Sequence, residues 1–209
     1  MMILYGSQNF GYDTPESDKD WFQFLIPTVE DVVHFKQVSK EVELEDGSHV
    51  KTRDIRYIYN IIEKGNVNDM QLFFSREIID EEPWFKWFKD NRDRLAKANL
   101  KSAFSSNMGY VCACKRDIQK GVPKGFVRAV ATMNYIEQLL SPKPVALYNE
   151  SLRLLRDMKL TAEEQLKVIE LQEKNLLEKK ALYINKEPDT PILKEVSKVI
   201  ADVLRGAWK

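Results

Sequence analysis

Two periods of hydrophobic and polar residues divide the chain. Up to Asp54 the apolar residues fall in short runs or alternate, as in strands that cover a core on one face. Ile3 to Tyr5 is a short apolar run that predicts a first strand. Gly6 to Pro15 is rich in turn formers (Gly6, Asn9, Gly11, Asp13, Pro15) and reads as a loop. Asp18 to Ile26 alternates aspartates with aromatic and aliphatic residues and predicts a second strand. Thr28, followed by Glu30 and Asp31, is placed to cap a short helix holding Val29, Val32 and Val33. Val38 to Thr52 reads as a hairpin, with Val42 and Leu44 on one arm, Asp46 and Gly47 at the turn, and Val50 and Thr52 on the other arm.

After Asp54 the period lengthens. Ile55, Ile58, Tyr59 and Ile62 form the stripe of an amphipathic helix, and Gly65 and Asn66 suit its stop. Met70 to Phe74 is a further apolar run, a strand or a short helix. From Pro83 onward the pattern is helical throughout. Helices are predicted from about Trp84 (Trp87 and Phe88 inward), over Lys101 to Lys120, Lys124 to Leu140 and Leu147 to Met158, then from the capping-box pair Thr161 and Glu164 through Leu182. A last helix is predicted from Thr190 and Pro191, as cap and first turn. The fold class expected is α+β: a small sheet-bearing domain over 1–82, then an all-helical domain over 83–209.

Composition leaves that picture in place and charge adds to it. Of 209 residues, 44% are hydrophobic and 31% charged, the balance of an ordinary globular protein. No apolar run approaches the ~20 residues of a membrane helix, and nothing resembles a signal peptide, so no membrane partner is expected. Cys112 and Cys114 fit neither a zinc knuckle nor a redox pair; read as free thiols, they point to a cytoplasmic location. The formal net charge is zero but unevenly spread. Residues 1–82 carry 17 Asp and Glu against 8 Lys and Arg, and most of the compensating excess lies between Lys86 and Arg128, with 11 bases against 3 acids. That asymmetry suits either an acidic site facing a polyanion-binding surface or two domains attracting each other.

The chemistry-bearing residues are Asp18 and Asp20. In a strand, residues i and i+2 project from one face, so both carboxylates would point together, and a divalent cation would relieve their repulsion. Magnesium, with manganese as the alternative, binds through one or two carboxylates plus substrate phosphates. The preceding Gly6 and Ser7 follow an apolar strand, where backbone N–H groups and a hydroxyl can approach phosphates closely. Gly6 and Gly11 have the outer spacing of a Walker loop, but Tyr12 and Asp13 stand where Lys and Ser/Thr are required, so it is not one.

Gly6 and Ser7, then Thr14, Pro15, Ser17, Asp18 and Asp20, resemble the Gly-Ser turn and D-x-D strand of the DNA polymerase beta-like nucleotidyltransferase superfamily. Asp54, Ile55 and Arg56, with Gly65 and Asn66 after them, extend the likeness to the RNA-ligase-associated nucleotidyltransferases common in phages and their hosts. The resemblance implies a small mixed-sheet nucleotidyltransferase domain followed by helices. It also implies magnesium-dependent transfer of a nucleoside monophosphate from NTP to an acceptor hydroxyl, releasing pyrophosphate. The acceptor it points to is an RNA 3′ end; protein and small-molecule acceptors stay open.

The superfamily's third carboxylate has no clear counterpart. On the hairpin strand Ser48 to Arg53 its expected position holds Lys51. Asp54 is the nearest acid, as catalytic residue and metal ligand beside Asp18 and Asp20, or as the N-cap of the following helix; Glu43 and Glu45 are outside candidates. Gln71 stands where the family has Glu. These two departures motivate an alternative, a catalytically degenerate domain that binds nucleotide or RNA. Lys124 and Arg128, four apart on a helix, are candidate phosphate ligands or a solvated face. Trp84, Trp87 and Phe88 would stack bases or, at helical spacing, fill the core.

Overall fold

Alternation in the N-terminal third produces a five-stranded mixed sheet. The computed structural model describes residues 1–208, with strands β1 (Met2–Tyr5), β2 (Asp20–Leu25), β3 (Ser39–Glu43), β4 (His49–Asp54) and β5 (Ile78–Ile79). Their order is β3-β4-β2-β1-β5, with β2 and β4 parallel and the other pairs antiparallel. Ile3 pairs with Phe22 and Tyr5 with Asp20, so these residues share the face that also carries Phe24 and packs on the helices. On β4 the residues opposite Asp20, Phe22 and Phe24 are His49, Lys51 and Arg53.

The helices are α1 (Ser7–Phe10), α2 (Val29–Val33), α3 (Tyr57–Lys64), α4 (Val67–Met70), α5 (Pro83–Asp90), α6 (Arg92–Ala96), α7 (Leu100–Gln119), α8 (Gly125–Leu139), α9 (Ser151–Asp157), α10 (Ala162–Glu178), α11 (Lys180–Ile184) and α12 (Thr190–Ala207). A 3-10 turn, Gln71–Phe74, follows α4. The fold is α+β with a helical C-terminal region. Its apolar core is continuous across residue 82: one cluster of buried side chains runs from Ile3 and Phe22 through Phe85 to Ile200. Trp208 closes the circuit, its indole donating to Pro27 O at 2.9 Å.

Local signals explain most boundaries. Thr28 and Asp31 form a reciprocal capping box on α2, and Thr161 and Glu164 another on α10. Gly65 ends α3 in the left-handed region at φ 57°. Five expectations change. The loop after Gly6 contains one helical turn, α1. The second strand starts at Asp20, leaving Asp18 outside it. On α5 the fully buried residues are Phe85 and Phe88, which pack on Phe73, while Trp84 and Trp87 are only partly covered. The helix from Ala162 breaks at Lys179, and Tyr183 then turns inward against Phe104 with its hydroxyl on Ile136 O. At the last helix the cap is Asp189, accepting from Ile192 N, one residue ahead of Thr190.

Asn107 joins the sheet-bearing part to the helices. Fully buried on α7, it accepts from Val67 N at 2.9 Å and donates to Gly65 O at 2.8 Å and Ala103 O at 2.7 Å. Asn107→Ala leaves the Val67 N–H without its acceptor in a dry interface, and about 2–3 kcal/mol of stability should go with it. A urea titration showing an unchanged midpoint would contradict this.

Candidate functional site

The turn after β1 is built for close approach. Gly6 has φ +85°, and a Cβ there would sit 2.6 Å from Asp20 Oδ2. Its N–H donates to Gln71 Oε1 at 2.7 Å, and Gln71 Nε2 donates to Asn68 O at 2.7 Å. Gln71, buried, therefore acts as a strut under the turn. Buried Asn9 holds the same corner, donating to Leu4 O and Gln71 O and accepting from Arg76 N. Gly6→Ala should cost about 1–3 kcal/mol through its backbone conformation alone and push the Asp20 carboxylate aside. A melting temperature equal to the wild type's would show that the turn relaxes freely.

Beneath the turn lies a cavity of about 300 Å³. Of the residues singled out in the sequence, it brings together Gly6, Ser7, Asp20, Lys51, Gln71, Lys124 and Arg128, and adds Asn68, Asp69 and Tyr110. Lys124 caps α8 and Arg128 lies one turn on. Lys51 projects from β4, on the rung beside Phe22. Among the described residues none of these three cations is ion-paired with a carboxylate. Tyr12, buried in the same lining, has the titration of its hydroxyl pushed up by burial.

Asp20 is half-buried, and burial raises its carboxyl above the ordinary range. His49 and Lys124 pull it back down; the charges of Asp18 and Glu41 push it up. Tyr5, on the same face, is driven up to about 12 by burial and then by Asp20. Glu41 shares the face too, opposite Lys51 on β3, but is exposed and outside the cavity.

Two sequence candidates lie outside the cavity lining. Asp18 is exposed ahead of β2 and is not in the cavity lining, so strand alternation does not aim it with Asp20. Asp54 pairs with Leu25, five residues along from the Asp20 rung and, by alternation, on the opposite face; that is roughly 16 Å along the strand. Its carboxylate accepts from Arg56 N at 2.8 Å and from Arg56 Nε at 3.0 Å, and Arg56 also reaches Lys36 O. Asp54 is thus the anchor of the chain reversal that opens α3. Glu43 faces His49 at the exposed edge. Among the described residues no group of three or more His, Cys, Asp or Glu is close enough to hold a metal ion.

Sequence reasoning missed Asp69 and the α9 brace. Arg156 donates to Tyr12 O at 2.8 Å, Arg153 pairs with Asp13 at 3.1 Å, and Asn149 N donates to Phe10 O. These contacts tie the loop between the turn and Asp18 to the helical part. Period alone carries no sign of them, since they join residues about 140 apart.

No protein-family model matches this chain, and no curated protein matches it. Among the described residues no helix is long and apolar enough to cross a membrane. Cys112 and Cys114 are free thiols, the first exposed and the second buried.

Proposed function

We propose that the chain is a magnesium-dependent nucleotidyltransferase, moving a nucleoside monophosphate from NTP to an acceptor hydroxyl with release of pyrophosphate. The observation that carries this reading is the convergence, in one cavity, of a glycine-serine turn, a half-buried aspartate and three cations that have no carboxylate partner among the described residues. Unpaired cations beside a polar cavity favour a polyanion, and Lys51, Lys124 and Arg128 can each take a phosphate oxygen. Ser7 and the Gly6 turn let the phosphates approach the backbone.

The donor chemistry fits magnesium held only in part by protein: Asp20 would supply carboxylate oxygen from the cavity lining, exposed Asp18, whose charge acts on Asp20 from outside the lining, would add to it, and the triphosphate would supply the rest. A magnesium ion held there would supply charge neutralisation to the phosphates. Asp20, partly desolvated and flanked by Asp18 and Glu41, gains from any cation that relieves its charge. The cationic wall orients the phosphates against it.

The acceptor we favour is an RNA 3′ end, in keeping with the excess of bases between Lys86 and Arg128. Free thiols and an NTP substrate agree with the cytoplasm. Lys51 on β4 and the lack of a three-acid cluster among the described residues favour one alternative, nucleotide or RNA binding without transfer. The test is incubation with each α-labelled NTP, magnesium or manganese, and pools of tRNA and other RNA. Label transfer that depends on Asp20 supports the enzyme. Metal-dependent NTP binding with no transfer to nucleic acid, protein or small molecules supports the alternative.

A further inference from the structure

The cavity is lined by two carboxylates, Asp20 and Asp69. Asp69 lies on α4, whose N-terminus is already capped: Asn66 Oδ1 accepts from Asn68 N at 3.0 Å. Helix capping therefore does not account for it. Its one side-chain hydrogen bond among the described residues comes from the Tyr57 hydroxyl to Oδ2, at 3.1 Å. Oδ1 is left without a protein donor. Tyr57 is the first residue of α3, and its phenol is held up to about 12 by burial and then by the Asp69 charge. It remains a hydrogen-bond donor at any working pH, so it fixes the orientation of the carboxylate without competing for a proton. The other acids near the site, Asp18 and Glu41, are exposed and outside the lining.

Resting on the nucleotidyl-transfer reading of this cavity, we propose that Asp69 accepts the proton of the attacking acceptor hydroxyl. The acceptor oxygen forms a bond to the α-phosphorus as its proton passes to Asp69. The bond from that phosphorus to the α–β bridging oxygen breaks, and pyrophosphate leaves with the electron pair. Nothing is oxidised or reduced. A base delivered from α4 makes an acid at Lys51 unnecessary, and explains how a lysine is tolerated there.

Asp69→Asn is nearly isosteric and can still accept from Tyr57, so it should fold. With the acceptor that the wild type labels, the expected result is a single-turnover rate at saturating NTP lower by about 10²–10⁴-fold, with NTP affinity unchanged by equilibrium binding. Asp69→Glu should recover part of the rate, and Tyr57→Phe, which frees the carboxylate to rotate, should lose less than Asp69→Asn. An unchanged rate in Asp69→Asn overturns the proposal. So does a fall in NTP affinity with full rate at saturation, which would make Asp69 a nucleotide ligand. A wild type that labels no acceptor overturns the nucleotidyl-transfer reading itself, a different failure.

Discussion

Asp20→Asn is expected to lower nucleotidyl transfer by about 10³-fold or more, the scale of loss when a fixed charge acting on the reacting centre is removed. The substitution keeps shape and hydrogen-bonding capacity and removes only charge. Magnesium-dependent NTP binding, followed by titration calorimetry, should weaken in parallel, while any metal-free binding to Lys51, Lys124 and Arg128 persists. Stability should move the other way. Burial raises the Asp20 carboxyl in the folded chain, so between its unfolded and folded titrations the native state binds more protons than the unfolded one. In that window the Asp20 contribution to stability falls as pH rises, and at neutral pH the ionised group is a net cost. Asp20→Asn removes both the cost and that part of the pH dependence, and its melting temperature at neutral pH should lie above the wild type's. A variant that is less stable and still transfers label would refute both halves.

The second large effect belongs to the Asp54–Arg56 pair. The Asp54 side chain is 2% exposed and that of Arg56 22%. Arg56→Met strands a buried carboxylate without its guanidinium and should cost about 3–5 kcal/mol. Asp54→Asn keeps an acceptor for Arg56 N and leaves a cation with partial access to water, so its cost should be smaller. In thermal melts Arg56→Met should lose roughly 10 °C, at about 2–4 °C per kcal/mol for a chain of this size. Both variants, assayed well below their transitions, should bind NTP like the wild type. If Asp54→Asn instead kept native stability and lost all transfer, Asp54 would be catalytic and its placement here would be wrong.

These two aspartates show how far the sequence carried. Asp20 was legible because it forms, with Asp18, a pair of aspartates two residues apart after a glycine-serine turn. Asp54 was ambiguous because an acid before an amphipathic stripe has the same local appearance whether it caps, pairs or coordinates. The register of β4 on β2 separates these uses, by placing Asp54 level with Leu25 instead of Asp20. The same register turns Lys51 from an apparent vacancy into part of a cationic wall. Asp69 drew no attention in the sequence because its partner, Tyr57, is 12 residues away on another helix.

The sequence by itself determined most of the elements, though not the helical turn α1 or the break between α10 and α11. Apolar period, two capping boxes, Asp46-Gly47 and Gly65 act within a few residues, and the physics that reads them is local. It also singled out Gly6, Ser7, Asp18, Asp20, Asp54, Lys124 and Arg128 as candidate positions. Tertiary structure alone decided which of these share a cavity, because strand register and the packing of α7 on α3 and of α8 on α7 depend on contacts between distant residues. It brought Lys51 and Asp69 in and left Asp18 and Asp54 out. It also let one apolar core run through both halves of the chain, since the sheet face and the helical stripes each need a partner surface to leave water.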